Sequence, residues 1–170
     1  AEMVSRHRTP VIMLSSLTTR GAALTMQALE KGAVDFVCKP SGTGRLPEMA
    51  EELVSKIKAA ARTNVLALSR PFAPEAPVRK KPVLGKSRGQ GRVIAIGASS
   101  GGPYALRQLL PRIPGDIDAG IVVVQHMPES FTAMLAHWLN EICELEVKEA
   151  KSGDLVLPGK VLIAPGSLHM

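Results

Sequence analysis

The stretch from Arg92 to His126 constrains the fold more than any other part of the chain. Strand-formers RVIAIG run into ASSGG, PYALRQLLPRI follows with helical spacing, and IVVVQH is a second run of strand-formers. Strand, helix and strand in that order form a βαβ unit, whose strands are parallel and whose crossover is right-handed. Open α/β sheets place their sites at the carboxyl ends of their strands, and the Gly-rich turn falls at such an end.

The α/β pattern continues to residue 170. SFTAMLAHWLNEI is expected to be a helix, and LEVKEA and GKVLIAPG shorter strand-like pieces. It also precedes the turn, over residues 10–62. PVIMLSS reads as a strand buried on both faces. TRGAALTMQALEKG is helical, with Gly32 suited to the position just past its end. AVDFVCKP is a second strand stopped by Pro40. LPEMAEELVSKIKAAAR spaces Leu46, Met49, Leu53, Ile57 and Ala60 along one face, with Glu early and Lys and Arg late, as the helix dipole favours.

Between these regions the composition changes. Residues 63–91 hold four prolines, several glycines and a cationic run, and read as a linker that is semi-extended where proline is dense. From Arg62 to Arg92 there are eight Lys or Arg and one acid, Glu75, so most of the net charge of +6 belongs to this segment. Its basic run reads as a solvated tether, with contact to an acidic partner or nucleic acid as the alternative. The expected organisation is therefore one α/β domain over 1–62, a basic linker over 63–91 and a second α/β domain over 92–170.

Other classes are disfavoured. Aromatic residues make up 3% of the chain, which counts against stacking platforms for single-stranded nucleic acid. No run of 18 apolar residues is present, so membrane insertion is not expected. Cys38 and Cys143 have no metal-ligand spacing and fit a reducing, cytoplasmic setting. Ala1 is not an initiator residue and the chain stops soon after PGSLH, so an internal piece of a longer protein is expected.

Three uses of GASSGG compete. A Walker loop requires a lysine after its glycines, and the dinucleotide fingerprint requires Gly-x-Gly-x-x-Gly; neither is present, although a Gly-rich turn can still offer its amides to an anion. A plain tight turn is the second use. In the third, Gly97-Ala98-Ser99-Ser100-Gly101 fits Gly-x-Ser-x-Gly, the elbow that presents a serine nucleophile. Amides opening the following helix, with Ser100 and Gly101, would then support an oxyanion.

A serine nucleophile needs a base. Of His7, His126, His137 and His169, only His126 ends the strand that follows the turn; His169, after another turn, is the alternative that no spacing favours. Neighbouring strands lie roughly 5 Å apart, which would bring Ser99 and His126 to one sheet rim. His137, beside Trp138 in a helical pattern, reads as a surface or packing residue. Ser99 is preferred to Ser100 because it holds the central elbow position. A third group should orient the imidazole, yet none of Asp116, Asp118 and Asp154 ends a strand beside these two.

GASSGGPYALRQLL, VVVQHMPESFTAMLAHWLN, VKEAKSGDLVLPGKVLIAPGSLHM and VIMLSSLTTRGAALTMQALEKGAVDFVCKP together resemble the chemotaxis response regulator protein-glutamate methylesterases. The resemblance covers nearly the whole chain, in order. It implies the carboxyl-terminal half of a flavodoxin-like receiver, a linker, and the amino-terminal part of a doubly wound parallel-sheet esterase domain. The implied activity is hydrolysis of glutamate methyl esters on methyl-accepting chemoreceptors, with deamidation of certain glutamines, under phosphorylation by a chemotaxis histidine kinase. Ser99 matches the nucleophile and His126 the general base; the triad aspartate lies further downstream in the family.

In the receiver part Ser15 matches the hydroxyl that contacts the phosphoryl group, Lys39 the lysine that pairs with it, and Phe36 the aromatic switch. The resemblance further implies a cis Lys39–Pro40 bond. No cofactor is implied for ester hydrolysis. Magnesium is implied for receiver phosphorylation, but its acidic ligands and the phospho-accepting aspartate precede this chain in the family, and Asp35 does not match the acceptor. Lacking these groups and the third triad member, the chain alone is expected to be close to inactive. The alternative reading is a phosphorylation-regulated binding module whose Gly-rich turn holds a nucleotide or other phosphate ligand without catalysis.

Overall fold

The computed structural model describes residues 2–16, 18–40, 46–62 and 91–170. The chain divides into two compact units, residues 1–72 and 73–170. The expected linker, 63–91, lies outside the described residues apart from Gly91.

The first unit begins with a four-residue helix, α1 (Glu2–Ser5), and contains β1 (Ile12–Ser15), α2 (Thr19–Glu30), β2 (Asp35–Cys38) and α3 (Leu46–Ala61). β1 and β2 are parallel, with Ile12 opposite Asp35 and Ser15 opposite Cys38. α2 starts where Thr18 accepts a hydrogen bond from the Gly21 amide at 3.0 Å, the usual service of a threonine N-cap. Its C-cap is Lys31, and Gly32 follows with a φ of 96° that suits a residue without a side chain. Ala22, Met26 and Leu29 recur on its inner face and are buried with Val34, Phe36 and Val37. β1 differs from the expectation of burial on both faces: Leu14 is 47% exposed, and Ile12 and Met13 are only partly covered. Nor is the Lys39–Pro40 bond cis; it is trans, the form that X–Pro bonds favour by about 0.5–1 kcal/mol.

The second unit contains β3 (Arg92–Ala98), α4 (Gly102–Leu109), β4 (Ala119–Gln125), α5 (Glu129–Ile142), β5 (Glu146–Glu149) and β6 (Lys160–Ile163). Its four strands are all parallel, in the order β3-β4-β6-β5. The helix expected through Ile113 ends at Leu109 and tightens into a 3-10 turn over Leu110–Arg112, where Pro111 supplies no amide. α4 and α5 pack together, and α5 lies on β5. They cover the face that carries Ile121, Val123 and Gln125, all nearly inaccessible. Phe131, Leu135, Leu139, Leu145, Val161 and Ile163 complete this core.

The opposite face is treated differently. No helix covers it among the described residues; instead the β5–β6 connection crosses it, and Val156 lies so close to Gly120 that a Cβ there would meet it at 2.5 Å. Val93 and Val124 on this face stay more than half exposed. The unit is a parallel α/β sheet with its helices on one side and an extended segment on the other. Among the described residues no helix is long and apolar enough to cross a membrane.

Candidate active site

Two neighbouring strands deliver the candidate nucleophile and base to one rim. β3 and β4 pair in register from Arg92 opposite Ala119 to Ala98 opposite Gln125. The ladder continues one step further, since the His126 amide donates to the Ala98 carbonyl at 2.9 Å. Ser99 and His126 therefore leave their strands at equal height, and both are exposed. Residues directly across a parallel pair share a face, so Ala98 and Gln125, the last paired positions, point to the helix side together. Among the described residues no hydrogen bond joins Ser99 Oγ to the imidazole, a common state for catalytic pairs without substrate.

A cavity of about 300 Å³ opens at the same rim. Its walls come from the carboxyl ends of three strands: Gly97 and Ala98 of β3, Val124 and Gln125 of β4 with His126 and Met127 after it, and Ala164 to Leu168 after β6. His126 lines it directly; Ser99, next in the chain after Ala98, is not among its lining residues.

The turn itself departs from a nucleophile elbow in one respect. An elbow stores its strain at the serine; here the left-handed residue is Gly101, at φ 72°, and Ser99 has a negative φ. Gly101 is the N-cap of α4 and makes no side-chain cap, and Pro103 occupies the first turn. The Gly102 amide donates to the Ser99 carbonyl at 2.8 Å and Pro103 has none, so neither of these two supplies an oxyanion donor. Ser100 and Gly101 stand at the apex of the turn.

Beneath the turn lies a residue that the sequence reading passed over. Gln125 is 5% exposed, and its Nε2 donates to the Ser99 carbonyl at 3.0 Å and to the His126 carbonyl at 3.1 Å. Gly102 leaves room for it: a Cβ at that position would come within 1.8 Å of Gln125 Oε1. The available signal was alternation, since VVVQH puts Gln125 on the covered face, where a polar side chain requires partners.

The third wall is fixed separately. Thr132, fully buried on α5, accepts a hydrogen bond from the Gly166 amide at 3.2 Å, and its hydroxyl lies 2.5 Å from Glu149 Oε1 and 2.9 Å from the Glu129 carbonyl. Gly166 is pressed against the start of α5, where a Cβ would meet the Glu129 nitrogen at 2.4 Å and the Met127 carbonyl oxygen at 2.5 Å. Ser167, next in the chain and facing the cavity, has the left-handed φ of 64°.

The aspartates stand away from the pair. Asp116 and Asp118 precede β4 and so lie toward the other end of the sheet. Asp154 sits in the β5–β6 connection, 2.7 Å from Lys148 Nζ, and that hydrogen bond holds its carboxyl below the usual carboxylate range. His137 is exposed on α5 with its Nε2 3.5 Å from Glu141; His7 and His169 are also exposed.

In the first unit Ser15 and Lys39 meet at the carboxyl ends of β1 and β2, where the Lys39 amide donates to the Ser15 carbonyl at 2.7 Å. Ser15 is 8% exposed; its hydroxyl donates to the Gly21 carbonyl at 3.0 Å, and Thr25 Oγ1 lies 2.6 Å from it. Lys39 is exposed, whereas Phe36 is buried with Lys56 Nζ 5.2 Å from its ring centre. Asp35 opens β2 at the far end, bonded to the Phe36 amide and 3.3 Å from Lys56 Nζ. It is thus committed to structure and does not suit a magnesium ion. Among the described residues no three of His, Cys, Asp and Glu gather in a metal-holding group.

The CheB methylesterase family model matches residues 94–170. The whole chain is 46% identical over 177 residues to a protein-glutamate methylesterase/protein-glutamine glutaminase of Carboxydothermus hydrogenoformans, covering 99% of this chain and 49% of that protein. It is equally similar, 46% over 173 residues, to the protein of the same name in Archaeoglobus fulgidus, covering 99% and 48%. The crystal structure of the Thermotoga maritima CheB methylesterase catalytic domain is 49% identical over 48% of this chain and 43% of its own, with a TM-score of 0.46. The chain spans about half the length of the curated relatives it matches, and the stretch similar to the CheB methylesterase family, residues 94–170, includes both Ser99 and His126.

Proposed function

We propose that the protein to which this chain belongs hydrolyses glutamate methyl esters on methyl-accepting chemoreceptors, and deamidates selected glutamines, with Ser99 as nucleophile and His126 as general base. The observation that carries this reading is their equal height on adjacent strands beside a cavity, within a segment that matches the methylesterase family. In the first step His126 takes the hydroxyl proton as Ser99 Oγ attacks the ester carbonyl. The tetrahedral intermediate collapses, the proton passes to the leaving methoxide, and methanol departs. Water activated by His126 then hydrolyses the acyl-enzyme, returning Ser99 and a free glutamate. Ser100 and Gly101, at the turn apex, are the proposed oxyanion support. An orienting carboxylate for His126 is expected from outside this chain.

Residues 1–62 are proposed as part of a receiver phosphorylated by a chemotaxis histidine kinase. Ser15 and Lys39 share one end of a parallel pair there, which supports their assignment to the phosphoryl group, and Phe36 is the proposed switch. The magnesium that such phosphorylation requires would find its ligands outside these residues.

Methanol release from methylated receptors by the full-length protein tests the reading. Ser99→Ala is expected to abolish it and Ser100→Ala to reduce it partially, about 10²–10³-fold at most if its hydroxyl serves the oxyanion. Retained hydrolysis in Ser99→Ala would assign the turn to ligand binding, or the attack to Ser100.

A further inference from the structure

We propose that Gln125 is a positioning residue: its side-chain amide ties the backbone of Ser99 to that of His126 and sets the separation of the two reacting groups. The inference rests on the nucleophile and base assigned above. One planar NH2 group spans both segments, donating at 3.0 Å to the Ser99 carbonyl and at 3.1 Å to that of His126. Both acceptors are carbonyl oxygens, which fixes the amide orientation, because the Gln125 oxygen could donate to neither. The Ser99 carbonyl receives a second bond from the Gly102 amide at 2.8 Å, so both its lone pairs are engaged and its peptide plane is held.

The tie has a cost that packing alone would not explain. Gln125 is 5% exposed and its Oε1 has no hydrogen-bond partner among the described residues. A hydrophobic side chain of the same length would fill the space without burying an unmatched acceptor. Gly102 in turn surrenders a side chain to admit the amide. Two positions are thus shaped around one bridge between the strand ends, and a displacement of about 1 Å at a reacting pair is enough to lose roughly a hundredfold in rate.

The test uses the full-length protein. Gln125→Met keeps the length and removes both donors; it is expected to lower kcat about a hundredfold with KM within about twofold of the parent. Gln125→Glu places a carboxylate against two carbonyl oxygens at neutral pH, while its protonated form regains one donor. Burial and the facing oxygens raise the pKa of that carboxyl. The ratio of variant to parent kcat should therefore rise as pH falls from about 8 to about 5.5, whereas the Gln125→Met ratio should stay flat. Dividing by the parent rate removes any pH dependence common to both proteins.

A parental kcat in Gln125→Met, or a pH-independent ratio in an active Gln125→Glu, would overturn the proposal. If neither variant folds, side-chain amide exchange in the unmutated protein decides. Protected Gln125 NH2 protons support the tie, and exchange at the rate of free glutamine overturns it. Failure of the underlying assignment is separately visible, because Ser99→Ala would then keep its hydrolysis whatever Gln125 does.

Discussion

The His126 amide hydrogen-bonds the Ala98 carbonyl at 2.9 Å, carrying the β3–β4 ladder one residue past its last paired positions. That bond keeps the strand ends paired up to the point where Ser99 and His126 leave the sheet. Without it, equal register at Ala98 and Gln125 would say little about Ser99 and His126. The site is thus an extension of the sheet, stiffened from below by Gln125 and walled on the far side by the loop after β6.

The Gly102 position should tolerate no side chain. In Gly102→Ala the new methyl must displace the Gln125 amide, which lies 1.8 Å from the ideal Cβ. Overpacking of this kind costs roughly 1–3 kcal/mol. Denaturant unfolding is expected to show a loss in that range, and kcat should fall together with that of Gln125→Met.

The loop after β6 depends on Gly166 and Thr132. Gly166→Ala forces a methyl against backbone atoms at 2.4–2.6 Å, with no flexible side chain to yield. Its cost should reach the upper end of the ~1–3 kcal/mol range for overpacking. Thr132→Val strands the Gly166 amide and should cost about 1–3 kcal/mol, while Thr132→Ser, which keeps the hydroxyl, should recover most of that. Thermal melts of the three variants check the order.

Acid should loosen the β5–β6 connection. The Lys148 hydrogen bond, aided by the Lys151 amide, lowers the Asp154 pKa from its ordinary 3.8. A carboxyl whose folded pKa is depressed stabilises the fold above its unfolded value, and that contribution disappears as pH falls through the folded value. Below ordinary carboxylate pH the parent should therefore lose stability that Asp154→Asn never had, and their melting curves should converge. A constant gap down to strongly acidic pH would contradict this.

Cys38 should be a sluggish thiol. Burial chiefly, then Glu52, pushes it up to about 11 against the opposing pull of Lys56. At about pH 8 its thiolate is roughly a hundredfold scarcer than that of an ordinary cysteine, and alkylation by iodoacetamide should slow accordingly. Rapid alkylation of Cys38 in the folded protein would contradict the raised value.

Much of this arrangement was legible in the residues. The apolar runs IVVVQ and RVIAIGA become β4 and β3 with the expected parallel pairing, and the Gly-rich turn falls between strand and helix. Gly32 lies just past the end of α2 as expected, because cap chemistry is local. Three features were not legible, each for a physical reason. The shortened α4 reflects a proline already inside a helical pattern, where periodicity and backbone sterics disagree. Leu14 is exposed because an apolar strand residue does not announce which face is covered. Gln125, Thr132 and Gly166 act through contacts between segments distant in sequence, and only three-dimensional proximity joins them.

The most direct measurement is a double-mutant cycle on methanol release by the full-length protein, with Ser99→Ala, His126→Ala and the two combined. Groups that act as one catalytic unit are strongly non-additive. The expected result is that either single substitution removes nearly all turnover and the double variant is no slower than the worse single. Losses that multiply, or a His126→Ala enzyme that keeps most of its rate, would show that the two side chains do not work as a pair.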